Sequence, residues 1–187
     1  MNIALRTFDG SCLARPDTTK AKVNEDIFLP EFVTELSCAP VVFARITRPG
    51  RSVAPRFASR YYDALSYGLL LYPENLIGGS EAGFATASCL DHTTCIPADF
   101  FDPALLRAKQ NEFVLTAGGR DLFRTGGIPE GFVEESLSDI TRYIYIRTGD
   151  LAAIELAPRI PLLGKNGSVI ITGQFSGKKT IETKVEI

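Results

Sequence analysis

The sequence contains a single histidine, His92, and four cysteines, so side chains that commonly bind soft metals or act as general bases are scarce. No run approaches the ~18 apolar residues that a membrane-spanning helix needs, and the first residues lack the apolar stretch of a signal peptide. No glycine spacing matches a phosphate-binding loop. These absences predict a cytoplasmic protein with neither a membrane partner nor a phosphate-binding loop.

The composition is that of a globular protein. Of 187 residues, 45% are hydrophobic and 22% are charged, which fits one domain over residues 1–187, with 1–40 as a short N-terminal segment. The net charge of −2 indicates no nucleic-acid partner. The cysteines lack paired spacing and lie among apolar or small residues, which predicts reduced, buried thiols: Cys12, Cys38, Cys89 and Cys95.

Runs of β-branched and apolar residues predict an α+β fold dominated by strands. Asp9-Gly10 and Gly118-Gly119 supply the turns of two hairpins. Residues 16–40 are interpreted as connection, and 47–60 as a basic loop in which prolines prevent regular structure. The predicted strands are residues 3–8, 12–15, 41–46, 65–72, 112–116, 122–124, 151–156, 168–175 and 179–187.

One segment changes to a helical period. Apolar residues recur at spacings of 4, 3 and 4 from Val133 to Ile144, which places them on one face of a helix. Ser136 with Asp139 resembles a capping box that begins this helix, and Gly149 supplies its C-terminal glycine.

Three short motifs resemble sites, but their spacing favours structural roles. Cys89-x-x-His92-x-x-Cys95 lacks the paired spacing and the second cluster of a zinc site. Gly78-x-Ser80-x-Ala82 indicates a glycine-rich turn rather than a nucleophile elbow. Ser176-x-x-Lys179 has the spacing of a serine–lysine pair, yet it falls in a predicted hairpin turn.

The basic loop is a stronger candidate for binding. Guanidinium groups at Arg45, Arg48 and Arg51, followed by Arg56 and Arg60, could hold a carboxylate or a phosphate through paired hydrogen bonds. A solvated loop held by salt bridges is the alternative. Both interpretations stay open at the level of the sequence.

Taken in order, several segments resemble the catalytic C-terminal domain of the fumarylacetoacetate hydrolase family. Residues 40–45 are similar to its strand ending in Phe-x-Lys, and 66–71 to the apolar strand after its Glu-x-Glu metal ligands. Ser88-Cys89-Leu90-Asp91 resembles its Lys-x-x-Asp segment. Residues 107–124 resemble its glycine-turn hairpin, and 137–150 its helix ending in Pro-Gly-Asp. Across 40–187 the resemblance implies a strand-rich mixed β-sheet or roll with few helices, and a homodimer.

The departures from the family pattern concern its metal ligands. Ala64-Leu65-Ser66 stands where the family has Glu-x-Glu, Ser88 replaces the lysine, and Glu155-Leu156-Ala157-Pro158 replaces Thr-Gly-Thr-Pro. The resemblance leaves Asp91 as the retained metal ligand, with Asp63 and Glu74 near the missing pair. A hard cation such as Mg²⁺, Mn²⁺ or Ca²⁺ usually requires two or more protein carboxylates.

Three hypotheses follow from these patterns. The resemblance implies a metal-dependent hydrolase or lyase that acts on a small keto or diketo acid. The lost ligands favour a catalytically silent relative that binds a small anion through Arg45, Arg48 or Arg51. The third hypothesis is a structural role in assembly. No catalytic residue is assigned by the sequence.

Overall fold

The computed structural model describes residues 2–21 and 25–187. The strands are β1 Ile3–Arg6, β2 Cys12–Arg15, β3 Ile27–Phe28, β4 Glu35–Ile46, β5 Tyr62–Pro73, β6 Thr94–Cys95, β7 Phe113–Ala117, β8 Arg120–Thr125, β9 Leu151–Glu155, β10 Ile160–Gly164, β11 Ser168–Phe175 and β12 Lys178–Glu186. The helices are α1 Pro55–Ala58, α2 Glu74–Ile77, α3 Glu81–Ala87, α4 Pro103–Arg107 and α5 Phe132–Tyr143, with a 3₁₀ turn at Asp17–Thr19. Within these ranges no helix has the length and apolar character required to cross a membrane.

Two sheets form the framework. The larger one has the order β2-β1-β9-β4-β5-β6, with β10 also paired to β4, and the smaller one has the order β3-β12-β11-β7-β8. Parallel pairing occurs between β1 and β9, whereas β4 and β5 pair antiparallel along their full length. The predicted strand-rich α+β fold is confirmed, and the strands before residue 40 are part of both sheets.

Strand β5 is buried on both faces. Tyr67 and Leu69 belong to the core between the sheets and helix α5, while Leu70 and Tyr72 belong to a second core that α2 and α3 cover. A strand covered on both faces reads as a continuous apolar run, as residues 65–72 do.

The predicted hairpin turns are confirmed. Gly10, Gly118 and Gly119 all adopt positive φ, at 92°, 56° and 79°. Glycine reaches this region without the steric cost that a Cβ imposes. The turn between β11 and β12 is likewise formed by Ser176 and Gly177, both with positive φ.

The interpretation of residues 16–40 as connection is wrong at Ile27–Phe28, where β3 pairs with β12, and from Glu35 onward, because β4 begins there and continues through Pro40. The carbonyl of Pro40 accepts a hydrogen bond from the Leu156 amide, so its nitrogen faces the same side of the strand. On that side β4 changes partner from β10 to β9, and the ladder requires no N–H at this position.

Two local predictions also need correction. Helix α1 forms inside the basic loop, with Pro55 at its first position, where a missing N–H costs nothing. Helix α5 begins at Phe132 after Gly131, and Ser136 is an interior residue whose hydroxyl donates to the Phe132 carbonyl. The helix ends before Gly149, which instead forms the turn leading into β9.

Candidate functional site

The three carboxylates considered as metal ligands do not form one group, because Asp63 lies far from the other two. Asp63 is the second residue of β5, and Glu74 follows the last one. An extended strand rises ~3.3 Å per residue, so these two positions are about 36 Å apart. Asp91 is exposed in the turn after α3. Two residues later, the carbonyl of Thr93 accepts a hydrogen bond from the amide of Leu71, which lies near the end of β5 opposite to Asp63.

Each of the other two carboxylates already has a partner. Asp63 receives two hydrogen bonds from Arg45, at 2.8 and 2.9 Å. Glu74 accepts from the Ser37 hydroxyl and from Arg159 Nε, the latter at 2.8 Å. Across residues 2–21 and 25–187, no group of three or more His, Cys, Asp or Glu side chains could hold a metal ion. The described donor set therefore does not fit a divalent cation.

The positions that stand for the family's Glu-x-Glu are closed by packing. Ala64 and Ser66 are buried, and the Ser66 hydroxyl donates to the Asp99 carbonyl at 2.6 Å. Two residues along β5, the ring of Phe43 lies directly over Gly68. The face of the sheet on which the resemblance placed two acidic ligands is therefore filled by the chain's own side chains.

Of the three arginines predicted to bind an anion, Arg45 forms an ion pair within the described residues, whereas Arg48 and Arg51 do not. Arg45 is held by Asp63 in a two-point ion pair, and each side chain is about half exposed. Asp63 raises the pKa of the Arg45 guanidinium, and Arg45 lowers the pKa of the Asp63 carboxyl. Arg48 and Arg51 are exposed and form no ion pair with a residue that the structure describes.

Backbone pairing brings two more residues beside these arginines. Gly50 and Ile146 exchange hydrogen bonds of 3.0 and 3.1 Å, and both are buried. Arg51 directly follows Gly50 and Tyr145 directly precedes Ile146, so these two exposed residues flank the bridge. We call the surface formed by Arg48, Arg51, Tyr143, Tyr145 and Arg147 the arginine face.

The arginine face continues over helix α1. That helix packs on α5, and the Ser52 amide donates to the Thr141 carbonyl at 2.8 Å. Arg56 and Arg60 place their guanidinium carbons 4.7 and 5.2 Å from the ring centroid of Phe57. Arg147 lies 5.8 Å from the Tyr145 ring in the same manner. Such stacking orients the guanidinium and leaves its in-plane N–H groups available to carboxylates.

Reasoning from the sequence missed Arg147 and Tyr145 as members of this surface. They stand almost 100 residues after Arg51, and only the bridge at Gly50 joins the two segments. One signal in the sequence could have indicated this surface: in Tyr145-Ile146-Arg147 an apolar residue separates two amphipathic ones, which is the alternation of a strand with one exposed face.

A second polar cluster lies inside the large sheet around Glu155. This side chain is only 5% exposed; its Oε1 accepts from the Tyr72 hydroxyl at 2.6 Å and its Oε2 from the Phe8 amide at 2.8 Å. The guanidinium of fully buried Arg15 lies 5.2 Å from the Tyr72 ring. Burial raises the pKa of Glu155, although its hydrogen bonds and the charges of Arg159 and Arg15 act in the opposite direction.

This shift predicts a pH-dependent contribution to stability. A carboxyl whose pKa is raised by folding stabilises the folded state most below its ordinary value of 4.5 and loses that contribution as pH rises through the raised value. Glu155→Gln removes the titrating group. We therefore expect the stability advantage of the native protein over Glu155→Gln to shrink between pH 4 and pH 7 in urea unfolding experiments.

Glu35→Gln is the control for that series, because Glu35 is exposed at the start of β4. Its difference from the native protein should change less with pH than that of Glu155→Gln. An advantage over Glu155→Gln that stays constant or grows toward pH 7 would contradict the expected direction.

The short motifs have structural roles in the described residues. Cys95 is fully buried within the sheet, whereas Cys89 and His92 are exposed. All four cysteines are free, and the prediction that all of them are buried is wrong for Cys89, which is exposed, and for Cys12, which is only partly buried. Gly78 ends α2 with a φ of 52°, and the Ser80 hydroxyl caps α3 by accepting the Gly83 amide.

Comparison with known proteins identifies the fold. No family model and no curated protein matches the sequence. Fumarylpyruvate hydrolase from Pseudomonas aeruginosa, solved with Mn²⁺ and pyruvate, has a TM-score of 0.80 at 13% identity over 100% of this chain and 90% of its own. A protein from Yersinia pestis described as belonging to the fumarylacetoacetate hydrolase family has a TM-score of 0.79 at 16% identity, over 98% of this chain and 91% of its own. The 2-hydroxyhepta-2,4-diene-1,7-dioate isomerase from Mycobacterium marinum has a TM-score of 0.80 at 14% identity, over 99% of this chain and 74% of its own.

The chain therefore has the fold of the fumarylacetoacetate hydrolase family of hydrolases and isomerases. The resemblance drawn from residues 40–187 is confirmed at the level of the fold. It also extends further than predicted, because the similarity covers 98% or more of the chain in these three structures and so includes β1 and β2.

Proposed function

We propose that the protein is a relative of the keto-acid hydrolases without their metal chemistry, and that it binds a carboxylate-bearing anion through the arginine face. The observation that carries this proposal is the set of outward arginines without carboxylate partners. Arg48, Arg51 and Arg147 are exposed on the two segments that the Gly50–Ile146 bridge joins, and none forms an ion pair within the described chain.

The chemistry of these groups favours carboxylates. A guanidinium offers five N–H donors in a plane, which matches the two oxygens of a carboxylate. Tyr145 adds an amphipathic ring beside Arg51 and Arg147. The whole chain has a net charge of −2, but Arg48, Arg51 and Arg147 add positive charge locally, which suits a small anion better than a long polyanion.

Binding is expected to be weak and localised. In an NMR titration of ¹⁵N-labelled protein, oxaloacetate should shift the amides of residues 47, 48, 50, 51 and 145–148, with a dissociation constant of about 10 mM, because each exposed ion pair contributes about 1 kcal/mol or less. The double variant Arg51→Gln/Arg147→Gln should raise that constant at least fivefold. Higher salt should weaken binding by screening.

The matched control is Arg120→Gln/Lys165→Gln, which removes two exposed positive charges elsewhere. It should bind oxaloacetate as the native protein does. Equal weakening by both double variants would show a nonspecific charge effect and would refute the assignment to the arginine face.

The alternative function is a metal-dependent hydrolase or lyase of keto acids, which the fumarylpyruvate hydrolase neighbour brings into consideration. The lack of any group of three potential metal ligands among residues 2–21 and 25–187 counts against it, since Asp63 is far from Glu74 and Asp91. We expect cleavage of fumarylpyruvate to stay at background when Mn²⁺ is added. A rate that rises with Mn²⁺ and is lost in Asp91→Ala would establish this alternative instead.

A further inference from the structure

A cleft of about 890 Å³ opens beside the Glu155 cluster, away from the arginine face. Its walls come from the β1–β2 hairpin, the segment joining α2 to α3, and the chain after β9. This volume is within the range of small-molecule sites, which are usually concave and combine apolar walls with a few polar groups. Phe8 and Phe84 supply the aromatic walls.

Glu155 is the buried carboxylate among the described residues that line this cleft. Each of its oxygens accepts one hydrogen bond within the protein, from the Tyr72 hydroxyl and from the Phe8 amide. An ionised carboxylate has about four acceptor positions, so each oxygen retains capacity for a donor in the cleft.

The charges around the cleft are predominantly negative. Asp9 and Glu81 line it together with Glu155, and hydrogen bonds from Thr7 and Ser11 lower the pKa of the Asp9 carboxyl. Among the described residues that line the cleft, Arg159 is the one cation, and it is paired with Glu74 at 2.8 Å. Buried Arg15 adds one positive charge near Glu155, but it does not line the cleft, so the carboxylates that do line it favour a cation over a carboxylate ligand.

Arg159 itself shows which kind of group this wall stabilises. Its guanidinium carbon lies 5.5 Å from the ring centroids of both Tyr72 and Phe84, and the two rings stack with centroids 5.8 Å apart. A planar cation is thus held between aromatic rings and a carboxylate at the edge of the cleft. The remaining space adjoins the same ring of Phe84 and the carboxylate of Glu155.

We propose that this cleft binds a small organic cation, an amine or a guanidine, with Glu155 as the buried counter-ion and Phe84 as an aromatic wall. The site is separate from the arginine face and takes ligands of the opposite charge. Its existence does not depend on the anion-binding function proposed above.

Agmatine, which carries a guanidinium and an ammonium group, is the probe, and succinate is the anionic comparison. In an NMR titration, agmatine should shift the amides of residues 7–13, 79–85 and 155–159 to saturation. Glu155→Gln should raise its dissociation constant at least tenfold. Glu81→Gln, an exposed change on α3 that cannot disturb the core, should raise it about threefold by removing one attractive charge.

Glu35→Gln and Arg51→Gln/Arg147→Gln are the controls, and both should bind agmatine as the native protein does. The proposal is overturned if agmatine gives no saturable shifts, if succinate shifts the same amides more strongly, or if Glu81→Gln and Glu155→Gln both leave agmatine binding unchanged. Because Glu81 is exposed, its variant keeps the test valid even if Glu155→Gln unfolds.

Discussion

Replacing Gly68 with alanine should lower the free energy of unfolding by about 3 kcal/mol or more, because the added methyl group has no space. That methyl would lie 2.3 Å from Cε2 of Phe43 and 2.7 Å from the carbonyl oxygen of Cys95. The first neighbour is a fully buried ring and the second is the backbone of β6, so neither can move without disturbing the sheet. Urea unfolding followed by circular dichroism measures the loss.

Two further variants separate overpacking from glycine's intrinsic properties. Gly164→Ala, where the added methyl meets nothing within 4 Å, should change stability by less than about 1 kcal/mol. Combining Gly68→Ala with Phe43→Leu should cost less than the sum of the single changes, because leucine vacates part of the contested volume. Additive losses in the double variant would show that the ring of Phe43 is not what excludes alanine.

Truncating Arg15 to alanine should destabilise the fold by about 3–5 kcal/mol, through a cavity and through acceptors left without donors. Arg15 is fully buried. Its guanidinium donates to the Ser88 carbonyl at 3.0 Å, the Thr93 hydroxyl at 2.6 Å and the Leu71 carbonyl at 3.4 Å. These bonds join β2, β5 and the segment before β6 in one place.

Arg15→Met separates the two causes of that loss. Methionine fills most of the volume of Arg15 but donates no hydrogen bond. The loss of stability for Arg15→Met should be about half that for Arg15→Ala, because no large cavity forms and a buried charge is removed. Burial lowers the pKa of the Arg15 guanidinium, which indicates that desolvation already opposes its charge. A loss for Arg15→Ala below about 1 kcal/mol would show that the cluster is dispensable.

The sequence predicted the fold best where a local pattern had one physical cause. The apolar run at residues 65–72 and the glycine turns were correct because burial on both faces and positive φ each leave a direct signature. The segment before Val41 was predicted as connection partly because Pro40 lacks an N–H, which usually excludes a residue from a central strand. Its tolerance depends on the change of partner from β10 to β9, which no local pattern reveals.

The candidate site was less predictable, because residues distant in sequence form it. Asp63 and Glu74 stand 11 positions apart and were grouped as neighbours, but a fully extended strand places them at opposite ends. Arg51 and Tyr145 are far apart in sequence and meet through one backbone bridge. Glu155 was recognised only as a departure from a family pattern, and its burial depends on strands contributed by the whole chain.

The position of β1 also constrains when the protein can fold. This strand lies between β2 and β9, and the Asn2 amide donates to Asp150 Oδ1 across a separation of 148 residues. A two-stranded hairpin alone is marginally stable in water, so β1 and β2 emerge from the ribosome without a lasting partner. The large sheet is complete only once β9 has paired with both β1 and β4, so its assembly depends on contacts between distant parts of the chain, which slow folding.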